Sequence, residues 1–302
     1  MIARILFALL AGLLLAAPAS GYWQSRSQIS ISAAASYTGP GDIVPGASAW
    51  YGLRAYSSAT RGTKAVNVCN ALDVVCADLL TDATTGALVI TTIGGVNCSI
   101  ATCTIKTIYD QTTGNNCTGT CDLTQATIAN RAIFNTGSLC TTASLPCMDA
   151  VNASGVPCYL SAGNITVNQP LSFSAVTNRP SAAGNYSTVI GHQTGNYGFY
   201  SQPGVMNLAW TADHTATASN AAFHATQAVS KGAGSSLYVD GSTTTFTSST
   251  QNFGATKLAS MADTTCTLDV ARMYFAEFGI WPSDFGASVS TINSNQHSYW
   301  GF

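Results

Sequence analysis

Of the 302 residues only 8% are charged, against about 25% in an average domain, and the net charge is −2. So thin and slightly acidic a balance leaves no basic patch for nucleic acid. Thr, Ser, Asn and Gly stand where Lys and Glu usually do, a composition shared by extracellular β proteins that face sugars and by inert surface proteins.

In chain order, Arg4 precedes an apolar run from Ile5 to Ala17, and Ala17-Pro18-Ala19 supplies a small-x-small cleavage pattern, so residues 1–19 are expected to be a secretory signal peptide. The run falls short of the ~20 residues a membrane-spanning helix needs. The mature chain is therefore expected to be secreted, periplasmic or at the cell surface, with no membrane segment after cleavage. All ten Cys follow the signal, an even count suited to an oxidising compartment. Their spacings favour the local pairs Cys69 with Cys76, Cys98 with Cys103 and Cys117 with Cys121, and leave Cys140, Cys147, Cys158 and Cys266 open. No Cys/His spacing matches a common zinc pattern, and neither a metal nor a cofactor is expected.

Residues 20–38 lack a strong period and read as a linker, with a single domain over 39–302. Trp50, Tyr51 and Arg54 recur at helical spacing, which predicts one short helix within 47–56. Residues 64–160 read as short strands and Cys-bounded loops. From Leu171 the pattern is cleaner: 171–176, 187–190, 197–200, 205–210 and 222–229 are strands separated by turns at intervals of roughly ten. Asp240-Gly241 between β-forming runs predicts a tight hairpin. Residues 270–281 are apolar on both faces, as a central strand would be, and 288–299 read as a closing helix. The expected fold is all-β, an antiparallel sandwich of two packed sheets with one or two short helices.

One stretch is more specific. Cys98 and Cys103 bracket four residues, the strand that follows ends Ile108-Tyr109-Asp110-Gln111, and Leu123-Thr124-Gln125 lies just beyond. This pattern resembles the catalytic domain of the α-L-arabinofuranosidase B family, glycoside hydrolase family 54. The resemblance implies a concanavalin-like or laminin-G-like jelly roll, and the Tyr238-Val-Asp-Gly hairpin followed by the strand Ala276-Glu-Phe-Gly-Ile-Trp281 resembles the same jelly rolls. A segment with Arg-Ala and Tyr-Ser-Ser also matches near Arg54. The family brackets that region with a disulfide, whereas here Gly41 occupies one Cys position and the other Cys is missing too.

Cleaving a glycosidic bond generally takes two carboxylates, one protonating the leaving oxygen and one serving as nucleophile or base. This chain has a single Glu, Glu277, beside its Asp residues. The family nucleophile is a Glu in a strand whose counterpart here is Val205–Trp210, and no carboxylate falls there. The family acid/base corresponds best to Asp263, though the preceding glycines are absent. The adjacent Cys pair that lines the family's sugar site is absent as well, Tyr186-Ser187 standing in its place. Asp263 and Glu277 are thus the candidate catalytic residues, Glu277 having a structural alternative as the partner of an Arg. Trp210, Asp110 and Gln111 are the candidate sugar-binding residues, through ring stacking and strand-end polar groups, with turn capping the alternative for Asp110. His214 and His224 read as surface or core residues, and no Ser, His and Asp arrangement is recognisable. The resemblance implies an exported arabinofuranosidase-like hydrolase with arabinose-containing polysaccharide as its partner, its activity reduced or lost. The alternative is a non-catalytic glycan-binding or adhesion domain.

Overall fold

Antiparallel pairing organises the chain almost throughout. The computed structural model describes residues 36–90, 98, 103–113, 117–136, 140, 145–180, 187–192, 198–209, 213–219, 221–248, 252–261 and 272–302. The central strand Tyr274–Trp281 is buried along its whole length, as its two-sided apolar pattern requires. It pairs on one side with Leu171–Asn178, which continues through Phe223–Ser230 and Ala233–Val239 to Ser242–Thr247. Its other edge is shared: Ala49–Gly52 pairs with the stretch from Glu277 to Ile280, and Cys147–Asp149 pairs with Tyr274 and Phe275.

A second run of strands begins at Asp213–Thr217. It passes through Val205–Ala209, Gly198–Gln202, Ser187–His192 and Phe253–Ser260 to Tyr159–Val167. From there Leu123–Thr124 leads to Thr104–Ile108, Lys64–Cys69 and Cys76–Leu80. The short strand Ile133–Asn135 bridges Thr104–Ile108 to Cys147–Asp149, so the two runs form one nearly closed sheet. The main core fills the space between them, where the rings of Phe173 and Phe199 stack with centroids 5.9 Å apart. A second apolar cluster of Trp50, Tyr56, Trp281, Phe285 and Ile292 forms with residues of the C-terminal helix, Val289–Trp300.

The expected fold class, the hairpin at Asp240-Gly241 and the closing helix are all present. The helix expected within 47–56 is not: Ala49–Gly52 is a strand, preceded by a single helical turn at Pro40–Ile43. Tertiary pairing overrides the local spacing here, because the strand completes the edge of Tyr274–Trp281 while Trp50 and Tyr51 are both wholly buried. The packed chain also starts inside the segment read as linker. The Tyr37 hydroxyl donates to the Ala55 carbonyl, and Asn295 Nδ2 donates to the Thr38 carbonyl at 2.8 Å. The signal-peptide residues lie outside the described residues.

A Cβ at position 41 would fall 2.4 Å from the Tyr56 ring, which fills that space. The Tyr56 hydroxyl donates to the Val44 carbonyl at 3.1 Å and accepts from the Ala47 N–H at 3.0 Å. Tyr56 thus ties Val44 and Ala47 together. Disulfides join Cys69–Cys76, Cys98–Cys103 and Cys117–Cys121 as the spacings imply, and also Cys140–Cys147. Cys158 is disulfide-bonded too. Among the described residues no helix is long and apolar enough to cross a membrane.

Candidate functional site

The strand Thr104–Ile108 delivers Asp110 and Gln111 to a turn at its end, beside the 3-10 turn Ser58–Thr60. Between them lies a cleft of about 420 Å³ walled by Thr60, Thr63, Lys64, Tyr109, Asp110 and Asp122, among others. Its lining is mostly hydroxyls, carboxylates and one half-buried phenol, groups that bind the alternating hydroxyls and C–H faces of a sugar.

The two side chains named from the sequence are already engaged. Asp110 Oδ1 accepts from the Trp50 N–H at 3.0 Å and the Thr112 N–H at 3.1 Å, and the Thr112 hydroxyl donates to the carboxylate as well. That is turn capping with a long-range tie to the Ala49–Gly52 strand. Gln111 is buried: its Oε1 accepts from the Tyr56 N–H at 3.1 Å and its Nε2 donates to the Gly52 carbonyl at 2.7 Å. Gln111 therefore sets the cleft wall through the backbone. Asp122 is half-buried, and its Oδ1 accepts the Asp110 N–H at 2.9 Å.

At the rim, Lys64 and Asp78 pair at 2.6 Å, while Tyr109 and Asn67 donate to Asp78 Oδ1 at 2.6 and 2.7 Å. Partial burial works against ionising Asp78, but the three donors outweigh it and hold the carboxyl below its usual range. Lys64 also lies over the Tyr109 ring, 5.4 Å from its centroid. No sequence periodicity announces this cluster, because it is assembled from three strands. The one available signal was the paired placement of Lys64 and Asp78 on adjoining β-forming runs.

Glu277 lies elsewhere and has no exposure to solvent. Its carboxylate receives Arg54 Nε at 2.5 Å, Arg54 Nη2 at 2.8 Å and Gln296 Nε2 at 2.9 Å. Burial alone would depress the Arg54 guanidinium, but the Glu277 charge overrides it and the pKa is raised. The Tyr299 ring closes over the guanidinium, 4.5 Å away. This is a sealed bidentate pair between the sheet and the C-terminal helix.

On the strand Val205–Ala209, Met206 and Leu208 enter the main core, and Asn207 alternates to the opposite face. Asn207 is wholly buried, and neither its Oδ1 nor its Nδ2 has a hydrogen-bond partner among the described residues. Such an amide is costly unless something else completes it. No carboxylate stands between Val205 and Ala209. Asp263 and Trp210 lie outside the described residues, so Glu277, Asp110 and Gln111 are the predicted site residues whose places are known. Asp110 and Gln111 share the cleft wall, and Glu277 is not part of it.

Comparison with solved structures shows the fold to be an antiparallel β-sandwich. Among the structures it resembles is a family 54 α-L-arabinofuranosidase soaked with a cyclic sulfate inhibitor, at a TM-score of 0.60 and 14% identity. Another is an arabinofuranosidase complexed with arabinofuranosyl-α-1,2-xylobiose, at a TM-score of 0.57 and 14% identity. In both cases 85% of this chain is matched, and the chain spans 64% of the other protein's length. No family model and no curated protein matches the sequence.

Proposed function

We propose that the chain is an exported arabinofuranosidase-like glycoside hydrolase domain directed at arabinose-containing polysaccharide, with slow turnover. The observation that carries this reading is the likeness of fold, over 85% of the chain, to an arabinofuranosidase holding an arabinofuranosyl-xylobiose. The motif from Cys98 to Gln125 supports the same reading, and four local disulfides support export. In this proposal Asp263 is the general acid, and Trp210, Asp110 and the Tyr109 edge of the cleft contribute to holding the glycan. Gln111 and Glu277 act by positioning, Gln111 behind the cleft wall and Glu277 beneath the C-terminal helix.

Slow turnover follows from the missing second carboxylate. A retaining mechanism needs a nucleophile about 5 Å from the acid. Val205–Leu208 supplies none, and Glu277 is committed to Arg54. That same observation favours a second reading, a glycan-binding domain without catalysis. Product analysis on arabinan and arabinoxylan, paired with retention on the same polymers, separates the two. Free arabinose released by the wild type and lost in Asp263→Asn supports the hydrolase. Retention without release supports the binding domain, and neither retention nor release refutes both.

A further inference from the structure

A second constellation stands apart from the cleft. Ser219 Oγ lies 3.0 Å from His224 Nε2, and His224 Nδ1 lies 2.5 Å from Asp240 Oδ2. We propose that Ser219, His224 and Asp240 form a nucleophile, base and orienting carboxylate that hydrolyse small acyl esters of acetyl size. The proposal is independent of the arabinose reading. It rests on the order of contacts that nucleophilic acyl transfer requires, in which a hydroxyl meets one imidazole nitrogen and a carboxylate fixes the other.

Each member is held by the fold. His224 lies on the strand Phe223–Ser230, and Asp240 occupies the hairpin turn that joins Ala233–Val239 to Ser242–Thr247. Asp240 Oδ1 accepts the Ala225 N–H at 2.9 Å and meets His297 Nε2 of the C-terminal helix at 3.2 Å, which leaves Oδ2 for His224. His297 is itself anchored through Nδ1, 2.7 Å from the Phe302 carbonyl. With a proton on His224 Nδ1 facing that pinned carboxylate, Nε2 is the nitrogen that would accept from the Ser219 hydroxyl.

The Ser219 carbonyl oxygen is also 2.9 Å from Nε2. It becomes the acceptor once Nε2 has taken the hydroxyl proton, so the imidazolium is met on both sides. Burial disfavours that charged form, yet Asp240 and the Ser219 carbonyl outweigh it, and the His224 pKa is raised above 6.5.

Ser219 is exposed on one side and on the other borders a small cavity of about 10 Å³, lined also by Thr177, Arg179, Ser201 and Met206. Such a space holds about one water-sized group, which selects an acetyl and rejects longer acyl chains. Arg179 also lines that cavity, its Nη1 donating to the Ser201 carbonyl at 2.5 Å. Burial lowers its pKa only to about 10, so it stays charged at neutral pH and adds positive charge to the cavity wall. The Ala221 N–H donates to the Arg179 carbonyl at 2.6 Å from a left-handed backbone (φ 63°).

In the reaction, Ser219 Oγ bonds to the ester carbonyl carbon as its proton moves to His224 Nε2. The tetrahedral intermediate then breaks its bond to the alcohol oxygen, and the alcohol leaves with that proton. Water gives a proton to Nε2 as its oxygen bonds to the acetyl carbon, and the bond from that carbon to Ser219 Oγ then breaks as Nε2 returns the proton to Oγ, releasing acetic acid and restoring the serine.

The test uses the full chain with 4-nitrophenyl acetate and, separately, a fluorophosphonate probe followed by peptide mapping. We expect turnover, with the probe on Ser219. Ser219→Ala should abolish both while leaving the melting temperature unchanged, because it removes only an exposed hydroxyl. His224→Gln should slow both by about 10² or more. The wild-type rate should rise with pH through a value above 6.5. Turnover that survives Ser219→Ala, a probe on another residue, or no turnover and no labelling would each overturn the proposal.

Discussion

Cutting the Arg54–Glu277 pair should be among the most damaging single changes available in this fold. Both side chains are wholly buried, and Glu277 takes two hydrogen bonds from Arg54 and one from Gln296. Arg54→Met would strand a buried carboxylate, and Glu277→Leu would strand a buried guanidinium, each costing about 3–5 kcal/mol. In a domain of this size that lowers the melting temperature by about 6–20 °C. The double replacement should be far milder than the sum, because two apolar side chains of similar volume remove both charges at once. Arg54 Nη1 has no hydrogen-bond partner among the described residues, so the native pair is incompletely compensated there and the double variant should recover most of the loss. Urea unfolding followed by tryptophan fluorescence, with disulfides intact, gives the three free energies and their coupling. Single losses below about 1 kcal/mol, or a double variant as unstable as the two losses added, would refute the reasoning.

Three other outcomes are expected. Non-reducing peptide mapping should recover Cys69–Cys76, Cys98–Cys103, Cys117–Cys121 and Cys140–Cys147, and replacing Cys69 and Cys76 together by Ser should cost about 2–3 kcal/mol in urea unfolding, from the entropy of so short a loop. Asn207→Leu should raise stability by about 1–2 kcal/mol in urea unfolding, since it deletes a buried amide with no partner among the described residues; a loss of stability would count against that account. The His224 pKa is raised in the folded state, so its contact with Asp240 stabilises fully below 6.5 and the contribution fades as pH climbs through the raised value. Melting temperatures of the wild type and His224→Gln should therefore converge at alkaline pH and diverge below 6.5.

Much of the β architecture was legible because it is written locally. Period-two alternation marks Leu171–Asn178 and Phe223–Ser230, and Asp240-Gly241 can hardly be anything but a hairpin. Ala49–Gly52 was misread because the helical spacing of Trp50, Tyr51 and Arg54 is a coincidence of three residues, and its real determinant is a partner strand more than two hundred residues away. Cys spacing reached three pairs, but for Cys140–Cys147 several partners competed at comparable separations. The cleft was only half visible: Asp110 and Gln111 stood out as strand-end polar residues, whereas Lys64, Asp78 and Tyr109 converge only through strand pairing. Ser219, His224 and Asp240 escaped for the same reason, since nothing in a sequence reports that a hairpin turn folds its Asp over a neighbouring strand.

The proposed function depends on whether this sandwich processes an arabinoside. The most direct measurement is release of 4-nitrophenol from 4-nitrophenyl α-L-arabinofuranoside by the wild-type chain and by Asp263→Asn. The expected result is slow but measurable release by the wild type, reduced by about 10²–10⁴ in the variant as befits loss of a general acid. Fast release that Asp263→Asn leaves unchanged would contradict the placement of the acid. Release abolished equally by Glu277→Gln, in protein that remains folded, would contradict the structural role given to the buried pair.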